Sequence, residues 1–226
     1  MSTVSRAGRP RHRPESASEV PARAQILDAA AALFTERGFA ATTTRMIAEQ
    51  VGIRQTSLYY HFATKDELLG ELLAASVRPS LRAVGRIEAL VPEQVSAAGA
   101  LYAVAVADVD TLVSAPHNIG TLYLLPEVRG EPFAQFHRER RQLQDAYGRL
   151  GRAAAAPALA GTPADRLGEL LIQLVEVVIQ IRRTREPTAD DTDAIAAGCL
   201  RLCGLGEQAV VFAVQEAGAL ATSRDV

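Results

Sequence analysis

Thr42–Glu67 reads TTTRMIAEQVGIRQTSLYYHFATKDE, and it decides the fold. Ile47 and Ala48 mark the buried side of a short helix over about 44–50. Val51-Gly52-Ile53 is a tight apolar turn, and Gly52 permits the backbone conformation such a turn needs. A second short helix, about 54–61, turns Leu58 inward and leaves Gln55, Thr56, Ser57, Tyr59, Tyr60 and His61 mostly on polar faces. Two short helices joined this way are a helix-turn-helix, whose second helix fits the DNA major groove with its N-terminal residues at base edges. Thr43, Thr44, Tyr59 and Lys65 supply hydroxyls and a cation of the kind that holds phosphates. Thr64 and Glu67 then form a predicted capping box that opens the next helix.

Upstream, Ile26, Ala30, Leu33 and Phe34 share one face of a helix that Gly38 ends, completing a three-helix unit. Downstream, the pattern predicts long helices. One runs from Thr64 to about 90 across Pro79, and one opens at Pro92. A short one lies between Pro116 and Pro126, and one begins near Glu131. Thr162-Pro163 opens another to about Arg185, and a last one starts among Asp190, Asp191 and Asp193. Nothing alternates with period two. The expected fold is all-α with about nine helices. It divides into a disordered basic arm (1–20), a helix-turn-helix domain (21–66) and a helical regulatory and dimerisation domain (67–226).

Charge is divided to match. Residues 1–65 hold nine Lys/Arg against five acids, whereas the remainder holds 15 against 21. A basic head on an acidic body suits a protein that presents only its head to a polyanion. In the arm, Arg9, Arg11 and Arg13 either enter the minor groove or belong to a passive tail. No run of about 18 apolar residues predicts a membrane span, and no signal-peptide pattern is evident, so the expected location is the cytoplasm without membrane contact.

The stretch resembles the TetR family of transcriptional regulators. ERGF at Glu36–Phe39, then TTRMIA, VGI, SLYYHF and TKDELL follow in that family's order and spacing. The resemblance implies that Thr44, Arg45, Gln55, Thr56, Ser57, Tyr59, Tyr60, His61 and Lys65 face double-stranded operator DNA. Arg45 and Gln55 are the expected base readers, since both side chains can pair bidentately with a purine edge. Tyr59 and Tyr60 diverge on their helix, which leaves one free to be core, and His61 also suits a helix C-terminus.

Beyond about residue 75 the resemblance lies only in pattern. The last two helices are expected to dimerise. The first carries a stripe of Leu167, Leu171, Leu174, Val178 and Ile181, widened by Leu170, Val175 and Val177. The last carries small residues, Ala196, Ala197, Gly198, Cys199, Gly204 and Gly206, that allow close approach. Two such helices per chain would make a four-helix bundle and a homodimer, the arrangement the resemblance implies; the alternative is an ordinary intrachain core. The middle helices are expected to enclose a cavity for a small, mostly apolar effector. Its candidate lining is Tyr102, Val106, His117, Asn118, Leu122, Tyr123, Phe133, Phe136, Tyr147, Gln173 and Glu176, each of which also suits plain core packing. Cys199 and Cys203 suit buried small hydrophobes. No catalytic, cofactor or metal motif stands out. The expectation is therefore not an enzyme but a repressor that binds a palindromic operator as a homodimer and is released by a ligand. The alternatives are gating by a protein partner, no gating at all, or activation.

Overall fold

The computed structural model describes residues 21–159 and 161–222, and among these the only regular elements are helices. The predicted arm, residues 1–20, lies outside the described residues. Ala22–Arg37 (α1), Thr44–Val51 (α2) and Gln55–His61 (α3) form the three-helix head, and Lys65–Glu88 (α4) leads out of it. Ala97–Ser114 (α5), Ala134–Ala154 (α6), Ala164–Ile181 (α7), Ala189–Leu202 (α8) and Glu207–Thr222 (α9) make up the body.

The head folds as its sequence dictates. Ile26, Phe34, Ile47, Leu58 and Phe62 are each at most 1% exposed and meet in one core. Gly38 caps α1, its N–H donating to Phe34 O at 3.1 Å. Thr43 caps α2 by accepting from Met46 N. Gly52 sits at φ +77, the left-handed region that the turn requires. Thr64 accepts from Glu67 N as predicted, but the Glu67 carboxylate reaches back to Ala63 N rather than to Thr64. The complete reciprocal box occurs elsewhere, at Thr188 and Asp191 on α8.

Helix α5 is the axle of the body and packs against α4, α6, α7, α8 and α9. It is long and apolar enough to cross a membrane by length and composition, but half of it is buried inside this protein. Helices α6 and α7 make the most extensive pairing. Two glycines allow their approach: a Cβ on Gly148 would lie 2.3 Å from Ala164 O, and one on Gly168 2.4 Å from Gln144 O. α4 runs through Pro79 unbroken. Ala75, whose carbonyl the proline leaves without its intrahelical donor, is exposed.

Three expectations about the body change. The predicted helix between Pro116 and Pro126 is instead a 3₁₀ turn, Ile119–Leu122, and two further 3₁₀ turns, Pro126–Arg129 and Glu131–Phe133, precede α6. Pro126, Gly130 and Pro132 fall too close together for an α-helix to propagate through the two later turns. The helix expected from Pro92 starts at Ala97, where Ser96 accepts from Gly99 N. The predicted last helix is two: Gly204 adopts φ +82 and ends the chain's run after Cys203, and α9 begins at Glu207.

Candidate DNA-binding face and effector groove

The head presents one polar face. Gln55, Thr56, Ser57, Tyr59 and Tyr60 are exposed on α3, which Leu58 alone anchors from within the helix. Both tyrosines point out, Tyr59 at 47% and Tyr60 at 88% exposure, so neither is core. His61 is half-buried, its ring edge-to-face with Tyr60 at 5.4 Å. Three of the predicted contact residues form a triangle. Gln55 Nε2 donates to Thr44 Oγ1 at 2.9 Å, and Thr44 Oγ1 shares a 3.0 Å hydrogen bond with Tyr59 Oη. The Gln55 carboxamide is therefore oriented before any partner arrives. Thr43 is exposed beside it at the α2 N-cap. Arg45 pairs with Glu49 one turn along at 2.8 Å, with side chains 77% and 61% exposed. An exposed pair of this kind contributes little and is easily exchanged for another partner.

Lys65 is also engaged within the protein. Its Nζ donates to the main-chain oxygens of Phe39 (2.7 Å) and Thr42 (2.9 Å) and lies over the Phe39 ring at 4.1 Å. It ties the first turn of α4 to the α1–α2 loop. The acceptors lie 26 and 23 residues back in the chain, and no local pattern announces them.

The eleven candidate effector residues do not gather in one cavity. Asn118, Leu122, Tyr123, Phe136, Gln173 and Glu176 do line a single groove of about 890 Å³ between α1, the Ile119–Leu122 turn, α6 and α7. Tyr102 and Val106 instead line a separate groove of about 390 Å³ with α9. There the Tyr102 hydroxyl donates to Asp193 at 2.8 Å, and burial pushes its pKa up to about 12. Phe133 lines a third, of about 460 Å³, beside the start of α4. His117 lines none of these. Its Nε2 is 3.1 Å from Asp28 of α1, bridging body to head. Tyr147 is fully buried in the core.

The centre of the body is filled. Ser76, Asp108, Tyr123, Arg140 and Glu176 surround a void of only about 10 Å³, room for one water at most. Asp108 is 4% exposed and accepts from Ser80 (2.6 Å) and from the Tyr147 hydroxyl (3.0 Å). Burial raises its pKa to about 6, against the opposing effect of these two donors. Tyr123 shares a 2.8 Å hydrogen bond with Ser76, and burial raises its pKa as well. Arg140 Nη2 grips both oxygens of Glu176 at 2.6 and 2.7 Å, and Gln173 donates to the same carboxylate at 3.1 Å. These charges sit where a mostly apolar lining was expected. The sequence reading missed Asp108 and Arg140 because the helix pattern does not show which faces converge. Burial raises the thiols of Cys199 to about 12 and Cys203 to about 11, so both remain protonated packing groups.

Comparison with known proteins agrees with this architecture. The family profile for bacterial regulatory proteins of the tetR family matches residues 26–72. The HTH-type transcriptional repressor KstR2 of Mycobacterium tuberculosis is 55% identical over 51 residues, 23% of this chain and 26% of that protein. The match thus spans about a quarter of that relative's length. The crystal structure of Mycobacterium smegmatis AmtR superposes with a TM-score of 0.76 at 39% identity, covering 93% of this chain and 97% of that one. The structure of the ketosteroid regulator KstR2 of M. tuberculosis shares the fold, with a TM-score of 0.64 at 22% identity over 80% and 92% of the two chains. With a three-helix head, a helical body and a relative matched over nearly its whole length, the chain belongs to the TetR family of bacterial regulatory proteins.

Proposed function

We propose that the protein is a transcriptional repressor that binds a palindromic operator as a homodimer in the cytoplasm and is released by a small molecule. The carrying observation is the exposed polar face of α3 with its preset Gln55–Thr44–Tyr59 triangle. In this reading Gln55 and Arg45 read base edges, while Thr43, Thr44, Thr56, Ser57, Tyr59, Tyr60 and His61 contact the major groove and its phosphates. Lys65 positions the head from behind. Dimerisation uses α7 and α8. Leu170 and Val177 are 45% and 43% exposed on α7, and Leu174 packs against Gly198 of α8, so one chain leaves an apolar strip uncovered. Two heads then meet DNA about one helical turn apart, roughly 34 Å.

The effector site in this reading is the 890 Å³ groove rather than the filled centre. The groove's rim includes Phe34, Thr35 and Gly38 of α1, so a ligand there touches the head directly. A genome-wide map of bound DNA, followed by gel-shift measurement on the recovered site, tests the reading. A palindromic site bound by two chains supports it. Binding without sequence preference, or by one chain, overturns it.

A further inference from the structure

The charges around the 890 Å³ groove are lopsided. Arg140, Arg182 and Arg183 line it against a single acid, Glu176. Glu176 is committed to Arg140 through the bidentate pair. The other two arginines make no ion pair among the described residues. Arg182 donates to the main-chain oxygens of Leu112, Ala115 and His117. Carbonyls satisfy its N–H groups but leave its positive charge unneutralised, and burial in this position lowers its pKa. Glu186 acts on it through space, but the two form no ion pair among the described residues. Arg183 donates only to the Gln180 side chain, at 3.0 Å, and is exposed at the groove.

The other side of the same groove is apolar. Leu124 stands 85% exposed in the loop after the Ile119–Leu122 turn. Leu122, Leu125 and Phe136 continue the wall inward. An apolar wall facing an unneutralised cationic end selects a ligand with the same division, because each half then exchanges water for a matching surface.

We propose that this groove takes an anionic amphiphile, with its apolar body along Leu122, Leu124 and Leu125 and a carboxylate or phosphate head at Arg182 and Arg183. The proposal rests on reading the groove as the effector site and names the chemical class of what enters. An anionic head placed deeper would also compete with Glu176 for Arg140, loosening the link between α6 and α7 at the groove's floor.

Isothermal titration of the full-length protein with four probes of equal chain length, each below its micelle concentration, tests this: decanoate, monodecyl phosphate, 1-decanol and decylammonium. At least one anion is expected to bind tenfold or more tightly than 1-decanol, with decylammonium weakest. Which anion binds better decides between carboxylate and phosphate. Arg183→Glu, at an exposed side chain whose loss leaves the core intact, is expected to weaken the anions about tenfold and leave 1-decanol unchanged. Equal binding of anion and alcohol, tighter binding of the cation, no binding by any probe, or indifference to R183E each overturns the proposal. Operator release is measured separately with the same probes. An anion that binds yet leaves the operator complex intact sustains the ligand class and overturns ligand release. Release by neutral or cationic probes alone does the reverse.

Discussion

Asp108→Asn converts the buried carboxylate at the centre of the body into a neutral isostere, and its effect on stability follows from the pKa. The folded-state value of about 6 lies above the unfolded carboxylate value near 3.9. The folded state therefore holds the proton more tightly, and stability falls as pH rises from about 4 to about 6. Above that window the ionised Asp108 carries its full penalty. A shift of about two units at roughly 1.4 kcal/mol each makes this on the order of 3 kcal/mol. Asn removes the charge and keeps two polar ends for two hydroxyls, Ser80 and Tyr147, each able to donate or accept. The weaker neutral hydrogen bonds return about 1 kcal/mol of that gain. At pH 7.5 the variant is expected to be more stable than wild type by about 1–2 kcal/mol, raising Tm by roughly 2–8 °C. The advantage shrinks by about 1 kcal/mol at pH 5 and disappears near pH 4. Urea unfolding of both proteins at these pH values and one fixed protomer concentration measures the difference directly. A constant wild-type-to-variant difference across pH, or a variant less stable at pH 7.5 than at pH 5 relative to wild type, refutes the reasoning.

Lys65→Gln is expected to weaken operator binding without changing the slope of log affinity against log salt, since it breaks a clamp on the Phe39 and Thr42 carbonyls; a slope reduced by roughly 0.9 in magnitude would instead count one lost phosphate contact. Arg45→Ala is expected to relax preference at one position per half-site by about 1–3 kcal/mol, read by binding to a panel of single-base operator variants, because its exposed pair with Glu49 leaves the guanidinium free to engage DNA. Gly148→Ala is expected to lose about 1–3 kcal/mol in urea unfolding, as its Cβ would meet Ala164 O at 2.3 Å and force α6 and α7 apart. Gly85→Ala, whose Cβ meets nothing within 4 Å on the same protein, supplies the control and should be neutral or slightly stabilising.

What the sequence reveals here is what local chemistry specifies. The head is legible because each of its signals acts over a few residues: the Ile47–Ala48 face, the left-handed Gly52, the Thr43 and Thr64 caps. The α8–α9 break has an equally local signal in Gly204, but small residues nearby also suit close helix packing, and that meaning hides the turn. The candidate effector groove is not legible in the same way. Six of its predicted residues do converge, yet Tyr102 and Val106 face α9, and Phe133 faces the start of α4. An apolar residue on a helix announces that it will be buried, not against which neighbour. The three lining arginines carry no such signal at all, since an arginine on a polar helix face or past a helix end reads as an ordinary solvated cation.

The head and body touch at several places, and their arrangement limits how a ligand acts. Lys65 fixes the first turn of α4 to the α1–α2 loop, and Arg23 of α1 pairs with Glu71 of α4 at 3.2 Å. The head and the beginning of α4 therefore form one block. Leu81 and Val84, further along α4, do not line the groove, so a ligand there does not push on that part of the helix. What it meets is the edge where α1 lies against the Ile119–Leu122 turn, beside the His117–Asp28 contact. That turn is itself pressed onto α7, where a Cβ on Gly120 would lie 2.4 Å from the Ile179 side chain. It has no room to retreat toward α7, so a ligand wedged at this edge is expected to displace α1, and the block with it. Switching a dimer from about 99% to 1% binding-competent needs roughly 5.5 kcal/mol of differential affinity, under about 3 kcal/mol for each of two symmetric sites. Covering the exposed Leu124 in only one of the two head positions is a difference of about 1.5–3 kcal/mol. Operator and ligand must then weaken each other by the same factor, since both act through the one displacement of the head.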